Sequence, residues 1–263
     1  MNEPKAEENA SSWKKLEKDY HDKIAVSYDD LCKLKKTLGI LGNYQRVRYL
    51  WELFQKTSKS SILDVGCGTG DSLRLLCRKG IPVIGLDFSL EMVKITKKRC
   101  SKCDVVVGDV ENLPFSAASV SLSYCIATLH HVPHPGKAIK ELIRVTKEND
   151  YVYIEEPLNN VLFDLARKMT NIELFQKSPC ETSFYANTLS EYLKRNSDVT
   201  IEKKGYKMFF TMLLANKVRA RIVARYVLTI DEMLSKIPYL KKFMFNCFLL
   251  LRKGKYSESY DRK

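Results

Sequence analysis

The chain has 263 residues, 45% hydrophobic and 29% charged, with a formal net charge of +13. That length and apolar content fit one large domain with a sizeable core, and no run of about 18 apolar residues reads as a membrane-spanning helix. The excess charge is local: after Thr200, fifteen Lys and Arg stand against five Asp and Glu, which fits either an anionic partner or a solvated surface.

The opening residues, MNEPKAEENASS, are polar and acidic, read as a disordered start and not as a signal peptide. A helical cap follows up to residue 60, with Tyr20, Ile24 and Tyr28 on one side of Trp13–Leu31 and a second helical stretch over Leu34–Phe54. From residue 61 onward, strands and helices alternate. Strand Ile62–Val65 precedes a glycine turn and helix Asp71–Lys79. Strand Val83–Leu86 precedes helix Leu90–Cys100, with Ser89 as a candidate N-cap. Val105–Val107, Val120–Ala127 and Tyr151–Ile154 are three further strands, and Lys137–Thr146 is a helix between the last two. This alternation predicts an α/β fold with a doubly wound, seven-stranded, mostly parallel sheet, whose ligands bind at the carboxyl ends of the strands. Residues 157–187 read as a lid inserted over those ends, followed by a helix over Thr188–Arg195. Val199–Phe210 and Phe243–Leu251 complete the sheet. Between them, residues 211–238 form an amphipathic basic helix. Val218, Ile222, Tyr226, Thr229 and Met233 share one face, and Lys217, Arg221 and Arg225 form a stripe beside it, with Arg219 on the other border. That helix reads either as packed on the core with snorkelling cations or as a lipid-facing surface.

The glycine turn discriminates among nucleotides. A phosphate-binding P-loop needs a Lys and a Ser or Thr after its last glycine. Here Asp71-Ser72 follows Gly70. Dinucleotide fingerprints carry a third glycine spaced for a pyrophosphate, whereas Gly66-Cys67-Gly68-Thr69-Gly70 has a different spacing and is preceded by Asp64. An acid there repels phosphate and can help hold an ammonium group. Asp87, at the tip of the second strand, is placed to accept from both hydroxyls of a ribose.

Four motifs in order, ILDVGCGTG, GLDFS, GDVENLPF and TLHHV, make residues 60–157 resemble the class I S-adenosylmethionine-dependent methyltransferases, with their Rossmann-like fold. The resemblance is to the branch with the ubiquinone- and menaquinone-biosynthesis and small-molecule enzymes. It implies S-adenosyl-L-methionine as cofactor. By position, Asp64, Gly66, Cys67, Gly68, Thr69 and Gly70 would line its methionine part. Asp87 would hold the ribose, Phe88 would pack on the adenine with Ser89 and Met92 nearby, and Asp109 and Val110 would meet the adenine ring. Leu129 would lie under the sulfonium, and Tyr28 with Asp29 would help close the site. One departure is Val120-Ser121, where relatives usually have Phe-Asp at the start of the fourth strand.

Methyl transfer from a sulfonium needs alignment and exclusion of water more than acid–base machinery. If the acceptor is a hydroxyl or amine, a base helps, and His130 and His131 are the candidates; a loop-shaping role is the structural alternative. His134, between two prolines, reads as a turn residue. Glu155-Glu156 can orient a substrate or cap the next helix. No metal site is expected: Cys100-Ser101-Lys102-Cys103 lacks a second ligand pair, and the eight cysteines, mostly in apolar runs, suit a reducing cytoplasm. The expected partner is a small or lipid-like methyl acceptor. The cytoplasmic protein would touch anionic membrane peripherally through residues 211–255. An RNA-methylating enzyme using the basic quarter and a non-catalytic methyltransferase-like subunit are the alternatives. The first lacks a recognisable RNA-binding module, and the second is disfavoured by a full set of cofactor-position residues.

Overall fold

The computed structural model describes residues 3–31, 37–158, 178–180, 193, 199–207, 220–237, 239–240, 244 and 246–254. The lid insertion expected over 157–187, the helix at 188–195, residues 211–219 with Lys217 and Arg219, and the side chain of Arg221 lie outside them, apart from residues 157, 158, 178–180 and 193.

Three helices come first: α1 (Glu3–Ile24), α2 (Tyr28–Leu31) and α3 (Thr37–Phe54). α1 starts ten residues before the expected Trp13, so the stretch read as a disordered start is helical. Ala6, Glu7, Glu8 and Ala10 are good helix formers, and Pro4 sits in the first turn, where a missing N–H is harmless.

The alternating part follows as β1 (Ile62–Val65), α4 (Asp71–Cys77), β2 (Val83–Asp87), α5 (Leu90–Arg99), β3 (Asp104–Val107), β4 (Val120–Ile126), α6 (Pro135–Val145) and β5 (Thr146–Pro157). β6 (Val199–Lys207), α7 (Arg221–Leu234) and β7 (Asn246–Lys253) close the described chain. The seven strands form one sheet in the order β3-β2-β1-β4-β5-β7-β6. β1 to β5 pair in parallel, while β7 runs antiparallel between β5 and β6. The expected seven-stranded, mostly parallel sheet is therefore present.

β1 is buried at every residue, as a central parallel strand must be. Its side chains alternate: Leu63 and Val65 join α6 residues Ile139 and Leu142 in one core layer, and Ile62 joins Leu50 of α3 and Leu73 and Leu76 of α4 in the other. Each such Leu or Ile contributes about 1.5–3 kcal/mol on burial. At the Val120-Ser121 departure, Ser121 has a structural role. Its hydroxyl donates to the Ser61 carbonyl at 3.0 Å and accepts from the Ser60 N–H at 3.0 Å, tying the starts of β1 and β4 together. α5 has its predicted cap, with Ser89 Oγ accepting from the Met92 N–H at 3.1 Å.

Two expectations are corrected. The core-packed reading of α7 does not hold for the face read from periodicity: Ala224, Val227 and Leu228 are buried against Leu38 of α3, while Ile222, Tyr226 and Met233 are 68%, 67% and 63% exposed, as the lipid-facing alternative allows. Apolar residues surround this helix, so periodicity alone did not select a face, and the small Ala224 permits the close approach to α3. Cys100 and Cys103 are joined as a disulfide rather than held reduced. The turn that ends α5, with the Cys103 N–H on the Cys100 carbonyl, brings their side chains together.

Candidate functional site

A cavity opens at the carboxyl ends of β1, β2 and β4, with α1 laid across it. Its walls are Gly66 and Gly68 of the glycine turn, Asp87, Phe88, Ser89 and Met92 after β2, Asp109 and Val110 after β3, and Thr128, His131 and Val132 after β4. Tyr28 and the α1 residues Lys14, Glu17, Lys18 and His21 form its outer wall.

The glycine turn is sterically obligatory. Gly66 (φ 74°) and Gly68 (φ 52°) are in the left-handed region. A Cβ on Gly66 would stand 2.2 Å from Thr128 Oγ1, so no larger residue fits between β1 and the post-β4 loop. The Gly66 and Cys67 N–H groups both donate to the Leu86 carbonyl, at 2.8 and 3.0 Å, turning the loop over β2. There it meets Asp87, whose oxygens accept from the Gly68 N–H at 2.8 Å and the Ser89 N–H at 2.9 Å. Burial raises the Asp87 carboxyl above its ordinary value, against those two N–H donors. A carboxylate has about four acceptor positions, so this one keeps capacity for a diol. With Phe88, Met92 and Val110 as apolar walls and glycines where a Cβ would crowd the turn, the cavity fits an adenosine-type ligand.

At the end where the resemblance places adenine, Asp109 accepts from the Glu111 N–H at 2.9 Å and pairs with Lys14 Nζ at 2.6 Å. Lys14 also lies 2.7 Å from buried Glu111. Burial pulls Lys14 down, but the two carboxylates outweigh it and hold the ammonium above its usual value. Lys14 thus takes the oxygen that the resemblance reserves for the adenine amino group, and straps α1 over the cavity.

At the other end, Glu156 organises the loop after β4. Its Oε1 accepts from the Thr128 and Leu129 N–H groups at 2.9 and 2.8 Å, and its Oε2 lies 2.7 Å from His130 Nδ1. His131 points the other way, towards α1. Its Nδ1 lies 3.0 Å from Ser178 Oγ and 3.2 Å from Glu17 Oε2. The Trp13 indole N–H donates to the His131 carbonyl at 3.2 Å. Burial first, then the neighbouring His130, pushes the His131 imidazole down to about 3, so it is neutral. Burial acts to raise Glu17, yet His131 and the Cys180 N–H outweigh it and keep the carboxyl below its ordinary value.

The structure therefore brings Tyr28, Gly66, Gly68, Asp87, Phe88, Ser89, Met92, Asp109, Val110 and His131 to one cavity. The other candidates stand behind its wall. Asp64 is buried within β1, and burial raises its carboxyl to about 7. Cys67 packs beside Gly85. Thr69 donates to Asp29 Oδ1 at 2.6 Å, Gly70 abuts Thr96, and Leu129 is a core residue. Asp29 is further held by Arg99 at 2.7 Å, which anchors the Tyr28-Asp29 element under the glycine turn. Lys14, Glu17, His21, Thr128 and the anchoring role of Glu156 went unread. For Glu17 and His21 a signal exists: four residues apart on a helix, they share a face.

Residues 63–154 match the methyltransferase-domain family. With the sheet order and the glycine turn, this makes residues 63–154 similar to the methyltransferase domain. Among characterised relatives, the demethylmenaquinone methyltransferase of Paenarthrobacter aurescens is 32% identical over 139 residues, 51% of this chain and 55% of that protein. An uncharacterised protein of Methanocaldococcus jannaschii is 37% identical over 158 residues, 59% of this chain and 56% of its own length. The matched stretch thus spans little more than half of these relatives. Among solved structures, a methyltransferase from Thermotoga maritima superposes with a TM-score of 0.58 at 17% identity, covering 91% of this chain and all of that one. The methyltransferase solved with its Trm112 activator from Haloferax volcanii gives 0.57 at 16%, covering 89% and 97%. At such identities these two likenesses speak for the fold alone.

Proposed function

We propose that this protein transfers the methyl group of S-adenosyl-L-methionine to a small-molecule or lipid-like acceptor. The observation that carries this reading is the Asp87–Gly68 junction inside a cavity whose open end is walled by Glu17, His21, Thr128 and His131. Asp87 binds the ribose hydroxyls, and Phe88, Met92 and Val110 enclose the base. The cofactor supplies an activated methyl on a sulfonium. α1 excludes water from the cavity, and the post-β4 loop, fixed by Glu156, aligns the acceptor for in-line displacement. His131 touches the acceptor. His130, held by Glu156, positions the loop. Small-molecule acceptors are favoured by the demethylmenaquinone methyltransferase among the relatives.

The test is incubation of purified protein with methyl-labelled cofactor and fractionated cell extract. Label is expected in a lipid or small-metabolite fraction, and His131→Ala should abolish it while leaving cofactor affinity within a few-fold of wild type. Label in RNA alone would reject this acceptor class.

The outward face of α7 supports a lipid-side acceptor. Ile222, Tyr226 and Met233 are exposed beside Arg225 and Lys236, in the quarter that carries the basic excess, an arrangement suited to anionic membrane. No helix among the described residues is long and apolar enough to cross one. Wild type should float with anionic vesicles and the Ile222→Glu/Met233→Glu variant should not; equal flotation of the two would reject the contact.

A further inference from the structure

We propose that Glu17, His21 and His131 form a binding site for one divalent cation of the zinc class on the acceptor side of the cavity. Two ligands come from one helix and one from the loop after β4, 110 residues away in sequence from His21. Their ligating atoms all lie within 4.8 Å of one another. Glu17 supplies the central observation. Its Oε1 accepts from the Cys180 N–H at 2.8 Å. Its Oε2 is buried with no hydrogen-bond partner of good geometry among the described residues, and stands 3.2 Å from His131 Nδ1 and 3.5 Å from His21 Nδ1. Donor atoms bound at about 2.0–2.2 Å from a tetrahedral zinc are themselves about 3.4 Å apart. An orphaned carboxylate oxygen between two imidazoles at that separation is the arrangement a cation would complete.

His21 Nδ1 also lies 2.9 Å from the Glu17 carbonyl oxygen and His131 Nδ1 3.0 Å from Ser178 Oγ, contacts that a cation bound at these atoms would replace. Two His and one Glu with a fourth position open to a cavity is the ligand set of a catalytic rather than a structural zinc site.

The consequence rests on the methyl-transfer reading. An acceptor oxygen binding the open position would lose its proton to solvent more readily. It then forms the new C–O bond as the methyl–sulfur bond breaks, and the electron pair of that bond returns to sulfur.

The test uses the full chain, stripped with chelator and titrated with Zn²⁺ by calorimetry and with Co²⁺ by visible absorption. One equivalent is expected, with a four- or five-coordinate cobalt spectrum lacking thiolate charge-transfer bands. That last feature separates the site from Cys77, Cys100 and Cys103, whose sulfurs also cluster. Glu17→Gln and His21→Asn, each shown folded by circular dichroism, should weaken binding by at least about 100-fold, the upper range for lost metal-site support. Absence of cation binding, a thiolate-type spectrum, or affinity unchanged in both variants would overturn the site. None of these readouts depends on methyl transfer, so cofactor binding without cation binding would sink this proposal and leave the previous one standing.

Discussion

Replacing Asp87 by alanine should weaken binding of S-adenosylhomocysteine by about 100-fold or more. The carboxylate sits where β2 ends, so it is fixed by the sheet, and it accepts from the Gly68 and Ser89 N–H groups. It thereby joins the glycine turn to the proposed ribose site. Hydrogen bonds to a charged group are worth about 1.5–3 kcal/mol each, and loss of two at the lower figure is already about 3 kcal/mol, or roughly 150-fold. Asp87→Asn keeps the shape and one acceptor oxygen and should cost nearer to tenfold, about 1.4 kcal/mol. The pH dependence has a definite sign. Burial raises the carboxyl, so the acceptor form is lost earlier on acidification than for an exposed Asp, and affinity should fall as pH drops through that raised value. Calorimetry across pH on wild type and both variants checks all three statements. Unchanged affinity in Asp87→Ala would remove Asp87 from the cofactor site.

Where a residue's role is forced by its backbone, it was legible in the sequence. Gly66 has no alternative beside Thr128, Asp87 ends a strand at the carboxyl edge of a parallel sheet, and Ser89 caps a helix. These are local facts with local signatures. What sequence could not supply was the choice among equivalent packings. α7 offers apolar residues on several faces, and only the neighbouring Leu38 decides that Ala224 and Leu228 go in. Likewise, a final apolar stretch can extend a sheet at its edge or insert antiparallel between two strands, and β7 does the second. The acceptor-side wall was unread for a related reason. Glu17 and His21 belong to a helix outside the four motifs, and His131 gains its partners only because Trp13 and Lys14 fasten α1 across the cavity.

The largest stability effect should come from breaking the buried ion pair at the end of β5. Glu155 is fully buried. It accepts from Arg46 Nη2 at 2.9 Å, the Tyr153 hydroxyl at 2.6 Å, Lys207 Nζ at 3.1 Å and Asn246 Nδ2 at 3.2 Å. It therefore ties α3, β6 and β7 to the strand. Burial alone would raise this carboxyl, but Arg46 and Lys207 hold it well below its ordinary value. Arg46→Ala leaves Glu155 paired, among the described residues, only with Lys207, and Glu155→Ala leaves the buried Arg46 charge uncompensated, which costs about 3–5 kcal/mol. In a protein of this size that corresponds to a melting temperature lowered by roughly 10 °C. The double variant Arg46→Met/Glu155→Met removes both charges and should lose far less than the sum of the singles. Because the folded carboxyl is depressed, its contribution is complete above the unfolded value near about pH 4.3 and is lost as pH falls through the folded one. Glu155→Gln should flatten that acid limb in a pH series of thermal melts. The neighbouring Glu156 supplies the contrast. Successive strand side chains face opposite sides of a sheet, so Glu155 braces the α3 side while Glu156 holds Thr128, Leu129 and His130 at the cavity. Glu155→Gln should lower stability with cofactor affinity nearly intact, and Glu156→Gln should lower methyl transfer. If the two variants gave indistinguishable profiles, the separation of scaffold from site along this one strand would be refuted.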